Sequence, residues 1–184
     1  MALIAALLLT IVLSTALGGV AMIAAIERKT AAAHATSLQL RLTAQGALVI
    51  AADELGTHDW NTALAGGSTS VWRLPLAAPL DLAGLTAGVQ REAMMETAHG
   101  ADTPVWRLFA HTPWTAVSGQ AALGQAVVWV ADDWGEADGD PSRDGNGLIL
   151  VRAAALAGPA ASWTEAVCGR GPGGRVEVRH ARSW

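Results

Sequence analysis

A cluster of acidic side chains is the feature of this sequence best suited to chemistry. Seven residues with side-chain oxygens occur within about 15 positions: Asp132, Asp133, Glu136, Asp138, Asp140, Asp144 and Asn146. Calcium binds six to eight oxygen ligands from flexible loops, so the cluster predicts a candidate calcium site. Its spacing does not fit an EF-hand, because Pro141 stands where that loop needs glycine and no glutamate closes it.

The same cluster is also consistent with a solvated acidic turn that binds nothing. Asp, Gly, Pro and Asn are common turn formers. Arg143 lies inside the segment and would neutralise part of its charge. Both interpretations remain open from the sequence, and no cofactor other than calcium is predicted.

Catalytic signatures are weak throughout the chain, and we predict that the protein is not an enzyme. The histidines are scattered without metal-ligand spacing: His34, His58, His99, His111 and His180. Ser118 lacks the GxSxG elbow, and the glycine-rich stretch 169–175 has no strand before it or helix after it. The net charge of −4 gives no basic patch, so no nucleic-acid partner is predicted.

Small residues in the apolar N-terminal segment suggest a helix-packing function. Ser14 and Gly18 are four residues apart, and Gly19 follows Thr15 at the same spacing. Such seams let membrane helices approach closely. Glu27 begins the charged junction that ends the segment. Simple tolerance of glycine in a membrane helix explains the seam equally well.

The first element that the sequence predicts is a membrane anchor at the N-terminal end. Residues 2–26 are uncharged, and roughly 20 such residues span a bilayer core as a helix. The run is longer than a cleaved signal requires, and no basic residue precedes it, so an uncleaved anchor is predicted in the lipid bilayer. Arg28 and Lys29 follow the run, and alone they would place that end in the cytoplasm.

The helix is predicted to continue beyond the membrane. Residues 30–55 lack proline and are rich in alanine and leucine, with Gly56 as a plausible stop. An apolar stripe is predicted at Leu38, Leu42, Val49, Ala52 and Leu55. The predicted divisions are therefore a membrane half at 1–27, an amphipathic half at 28–56 and a globular domain at 57–184.

The globular domain is predicted to be a small, mostly antiparallel sheet with one short helix at Val89–Thr97. The predicted strands are Val71–Leu76, Val105–His111, Ala126–Ala131, Leu148–Ala154 and Arg175–His180. One face should pack on the long helix, and the other should meet solvent or a neighbouring subunit. Trp106 and Trp129 are predicted in the core, whereas Trp60, Trp134 and Trp184 are candidates for an exposed surface. The fold class is α+β.

This layout resembles the type IV pilins and pseudopilins, and particularly minor pilins of the PilX type. The resemblance rests on two segments, ALIAALLLTIVLSTALGGVAMIAAIERKTAAAHATSLQLRLTAQGALVIAADEL and VVWVADDWGEADGDPSRDGNGLILVRAAA. It implies a pilin-like fold and a structural function in filament assembly, initiation or at the tip. It also implies other pilin or pseudopilin subunits as partners, and an inner-membrane anchor with an exported domain. The alternative is a single-pass, membrane-anchored periplasmic binding domain without a filament.

Overall fold

The computed structural model of the chain describes residues 2–67, 70–75, 79–96, 103–114, 124–136 and 138–184. Its helices are α1 (Ala2–Leu55), α2 (Trp60–Leu64) and α3 (Leu82–Glu96). Its strands are β1 (Arg107–Pro113), β2 (Gln125–Asp132), β3 (Leu148–Ala157), β4 (Ala160–Arg170) and β5 (Val176–Ser183). The chain divides into two compact units, Met1–Leu38 and Gln39–Trp184.

The first unit is the N-terminal part of α1, which is uncharged up to Ile26 and continues through Glu27, Arg28 and Lys29. Ala and Leu favour the helix, and the hydroxyls of Thr10 and Thr15 donate to carbonyls three and four residues earlier. Its large apolar side chains from Leu3 to Ile26 are between 52% and 84% exposed. This helix is long and apolar enough to cross a membrane by length and composition.

In the second unit, the last part of α1 packs on an antiparallel sheet. The five strands lie in sequence order and every neighbouring pair is antiparallel, which confirms the predicted α+β layout. The contact is made by small and branched side chains, with Ala47, Leu48 and Ala51 against Val128, Val151 and neighbouring strand residues. Gly56 ends α1 as predicted, and the Trp60 indole donates to the Leu55 carbonyl at 2.9 Å.

The helix face that meets the sheet is not the predicted stripe. Ala52 and Leu55 are buried as expected, but Leu38, Leu42 and Val49 are each more than half exposed. The buried positions are instead Leu40, Thr43, Ala44, Ala47, Leu48 and Ala51, with Ala52 and Leu55. Small side chains let α1 approach the sheet closely, and the larger Leu and Val at the predicted positions lie on other faces.

The second face of the sheet is covered by α3 at its central strands, whereas β5 is exposed, so the predicted contact of this face with solvent or a subunit is confined to the β5 edge. Helix α3, longer than the predicted Val89–Thr97, places Val89 and Ala93 in a cluster with Val127, Trp129 and other sheet residues. Every residue of β2 is therefore buried. An unalternating apolar run such as AVVWVA is the pattern expected of a strand covered on both faces.

Three of the predicted strands match β2, β3 and β5 to within a few residues, and β1 is displaced by two. Val71–Leu76 is not a strand: its described residues form a turn and a single bridge from Arg73 to His111. Strand β4 and helix α2 were not predicted. Leu76, Thr97, His99 and Ser118 lie outside the described residues.

Gly46 lets α1 lie close to Trp114 at the end of β1. The need for glycine at this position can be tested against a matched control in α3. A Cβ at Gly46 would lie 2.7 Å from Trp114 Cη2, whereas a Cβ at Gly88 in α3 would meet nothing within 4 Å. Both glycines are helical, so alanine improves propensity by about 0.5–1 kcal/mol at each. We predict that Gly88→Ala raises the free energy of unfolding and that Gly46→Ala lowers it, because overpacking costs roughly 1–3 kcal/mol.

The measurement is urea denaturation of each full-length variant in detergent micelles, followed by tryptophan fluorescence. Equal stabilisation by both substitutions would contradict the proposed requirement for glycine at position 46.

Candidate functional site

The acidic segment forms the loop between β2 and β3, with Asp132 as the last residue of β2. Most of its carboxylates accept hydrogen bonds from backbone amides within the loop. Glu136 accepts from the amides of Gly145 and Asn146 at 2.7 and 2.6 Å, and so joins the two ends of the loop. The Asp144 amide in turn donates to Asn61 Oδ1 of α2 at 2.8 Å, which ties the loop to the body of the domain.

The structure divides the seven predicted ligands into two groups. Oxygens of Asp132, Glu136 and Asp144 lie within 4.8 Å of one another. The other residues make local contacts. The side-chain amide of Asn146 donates to Asp133 Oδ1. Asp138 and Asp140 each accept a hydrogen bond from the backbone amide two residues later, in separate exposed turns. Hydrogen bonds from the Ser142 side chain and amide hold the pKa of Asp140 below its usual value. Three of the seven residues therefore form a candidate metal-binding group.

Asp132 is the unusual member of this group because it is buried. It is 4% exposed, and its Oδ1 has no hydrogen-bond partner among the described residues. Burial raises the pKa of its carboxyl to about 7, and the charges of Glu136, Asp133 and Asp144 add to the rise. A backbone hydrogen bond from Asp133 acts in the opposite direction. An ionised Asp132 is thus unfavourable unless positive charge is supplied.

A second polar group, which the sequence did not reveal, crosses the α3 face of the sheet. Arg152 on β3 is paired in register with Glu165 on β4, and Glu165 is paired with Arg182 on β5. The Arg152 side chain is 1% exposed and contacts Glu165 Oε2 at 2.6 Å and Glu92 Oε2 at 3.0 Å. Its guanidinium also lies 4.9 Å from the centre of the Trp106 ring.

A cleft of about 540 Å³ opens beside this charge group. Its lining includes Trp106, Trp134, Arg152, Glu165, His180 and Arg182. Trp106 is buried in the core as predicted, and Trp134 is 45% exposed. Trp184 is exposed as predicted, but Trp60 is buried beneath the Arg170 guanidinium. The register of Arg152 and Glu165 could have been found only by locating β4.

The predicted assembly residues lie on the exposed helix of the first unit. Ser14, Gly18, Gly19 and Glu27 are all exposed. A Cβ added at Gly18 or Gly19 would meet nothing within 4 Å, so the packing of this chain alone does not require glycine there.

Comparison with protein-family models, with curated proteins and with solved structures finds no match.

Removing one partner of Arg152 at a time tests the importance of the buried pair. Glu165→Ala leaves a buried guanidinium with one exposed partner, and we predict a loss of about 3 kcal/mol or more in the free energy of unfolding. Glu92 contacts the same guanidinium, but its side chain is 59% exposed, so Glu92→Ala should cost no more than about 1 kcal/mol. Urea denaturation measures the free energy of unfolding of both variants. Losses of equal size would show that the burial of an ion pair does not determine its contribution to stability.

Proposed function

We propose that this chain is a structural subunit of a pilin-like filament, a minor pilin or pseudopilin of the PilX-like type. The observation that carries the proposal is helix α1. Its N-terminal part exposes apolar side chains, and its C-terminal part is packed on an antiparallel sheet. In this function, α1 anchors the subunit in the inner membrane before assembly, and the sheet domain lies on the exported side.

The exposed apolar surface of α1 explains why the helix requires an environment other than water. Burying one Leu, Val or Ile side chain is worth roughly 1.5–3 kcal/mol. More than ten such side chains between Leu3 and Ile26 are over half exposed, so the surface has a strong preference for lipid or for other apolar helices. A filament core of packed helices satisfies the same preference as a bilayer does.

The packed part of α1 supports contact with neighbouring helices in particular. Leu42 and Val49 are seven residues apart and therefore lie on one face of the helix. They are 57% and 60% exposed, although α1 already buries a separate face on the sheet. A helix that only connected an anchor to its domain would need no second apolar face. A helix that packs between its own sheet and neighbouring subunits would need both.

The assembly step in this proposal is an exchange of packing partners. The N-terminal part of α1 leaves the lipid and joins other helices, and no covalent bond is made or broken. Gly18 and Gly19 would let neighbouring backbones approach closely, as small residues do in membrane helix pairs. We accordingly propose no catalytic function.

The second candidate function is a membrane-anchored binding domain that forms no filament. The cleft beside Arg152 favours it, because clefts that combine aromatic and charged side chains commonly bind small ligands. This candidate uses the same anchor but predicts that the anchor remains surrounded by lipid.

Cysteine cross-linking in native membranes distinguishes the two functions. Ser14→Cys places a thiol on the small-residue seam, and Ala16→Cys places a similar thiol about 200° around the helix. The native Cys168 should not interfere, because it is 0% exposed and burial raises the pKa of its thiol to about 12. We predict that Ser14→Cys cross-links to another copy, or to another subunit through its apolar N-terminal helix, more efficiently than Ala16→Cys does.

Mass spectrometry of the cross-linked peptides identifies the partner helix. Absence of helix-to-helix cross-links from both positions, with the protein present in the membrane, would contradict the filament function and favour the anchored binding domain.

A further inference from the structure

We infer that Asp132, Glu136 and Asp144 bind a calcium ion, which holds the β2–β3 loop against the end of the sheet. This inference is independent of the filament function. The three carboxylates come from the end of β2, the beginning of the loop and the part of the loop that precedes β3. An ion shared by all three would join segments that only hydrogen bonds otherwise connect.

The spacing of the oxygens suits calcium. Three atoms that lie no more than 4.8 Å apart can all be within about 2.8 Å of one common point. Calcium binds oxygen at about 2.3–2.6 Å, so small side-chain adjustments suffice, whereas magnesium requires about 2.0–2.1 Å in near-ideal octahedral geometry. Glu136 and Asp144 are half-buried, which leaves room for water to complete six to eight ligands.

The burial of Asp132 is the independent indication that a ligand belongs here. Its Oδ1 is buried and has no hydrogen-bond partner among the residues that the structure describes. Buried polar atoms are normally paired, and an unpaired one commonly marks the place of a water or an ion. Asp132 and Glu136 also line one small depression at the surface of the loop.

No ion pair between described side chains involves Asp132, Glu136 or Asp144. The pairs that these side chains form join Arg152 and Arg182 to Glu92 and Glu165, on the α3 face of the sheet. Arg143, the basic residue of the loop, acts on Asp140. Three negative groups within a few ångströms repel one another, and a divalent cation would convert that repulsion into attraction.

Titration of the full-length protein in detergent micelles with Ca²⁺ alone tests the inference. Isothermal calorimetry in chelator-treated buffer of constant ionic strength should show one site, with a Kd in the range of about 0.1–1 mM that is common for extracellular calcium modules. Asp132→Asn and Glu136→Gln should each weaken binding by tenfold or more. Asp140→Asn removes a charge from the same loop outside the three-carboxylate group, and it should bind as the wild type does.

Thermal unfolding provides a second readout. Calcium at 10 mM should raise the Tm of the wild type and of Asp140→Asn, and should leave Glu136→Gln unchanged. Glu136→Gln and Asp144→Asn carry the test if Asp132→Asn fails to fold, since both residues are half-buried.

Three results would overturn the inference. The first is no calcium binding by the wild type at 10 mM. The second is binding that Glu136→Gln and Asp144→Asn leave intact, or that Asp140→Asn weakens equally. The third is equal binding of Mg²⁺, which would contradict the assignment to calcium.

Discussion

Helix α1 has to satisfy two different surroundings, and the rest of the structure follows from this constraint. From Leu3 to Ile26 it carries large apolar side chains that are each more than half exposed. From Leu40 to Leu55 it buries small side chains on the sheet, where Ala44, Ala47 and Ala51 permit close approach. The same helix is therefore long and apolar enough to cross a membrane in one part and belongs to a protein core in the other, and its alanine- and leucine-rich composition suits both.

The central strands of the sheet are buried on both faces, and this explains the charge group that crosses the sheet. Strands β2 and β3 are covered by α1 on one side and by α3 on the other, so their sequences are almost entirely apolar. Gln125 and Asp132 stand at the two ends of β2, whereas Arg152 lies in the middle of β3 and is tolerated there because Glu165 lies opposite it in register. A buried guanidinium without such a partner would carry a large desolvation penalty. The polar group thus fixes the pairing of β3 with β4 more strictly than alanines could.

The sequence predicted those elements whose pattern depends only on neighbouring residues. The bounds of α1, the apolar strands β2 and β3, and the alternating β5 could all be recognised from local composition. Strand β4 could not, because AASWTEAVCGR mixes small, polar and charged residues whose burial depends on Arg152 and on α3. Three of the five positions predicted for the buried stripe of α1 were also wrong, because the face that packs on the sheet is rich in alanine and leaves Leu38, Leu42 and Val49 exposed. The acidic loop was visible as a cluster, but only the folded chain selects Asp132, Glu136 and Asp144 from the seven candidates.

The N-terminus of the protein recovered from its native cells tests the proposed filament function most directly. Pilin-like subunits are made with a short basic leader that prepilin peptidase removes just before the apolar segment, so the proposed filament function predicts the same processing for this chain. We predict that N-terminal sequencing finds the apolar segment at the start of the mature protein in cells with the peptidase, and a longer precursor in cells without it. An identical N-terminus in both strains would contradict the filament function and leave an anchored domain.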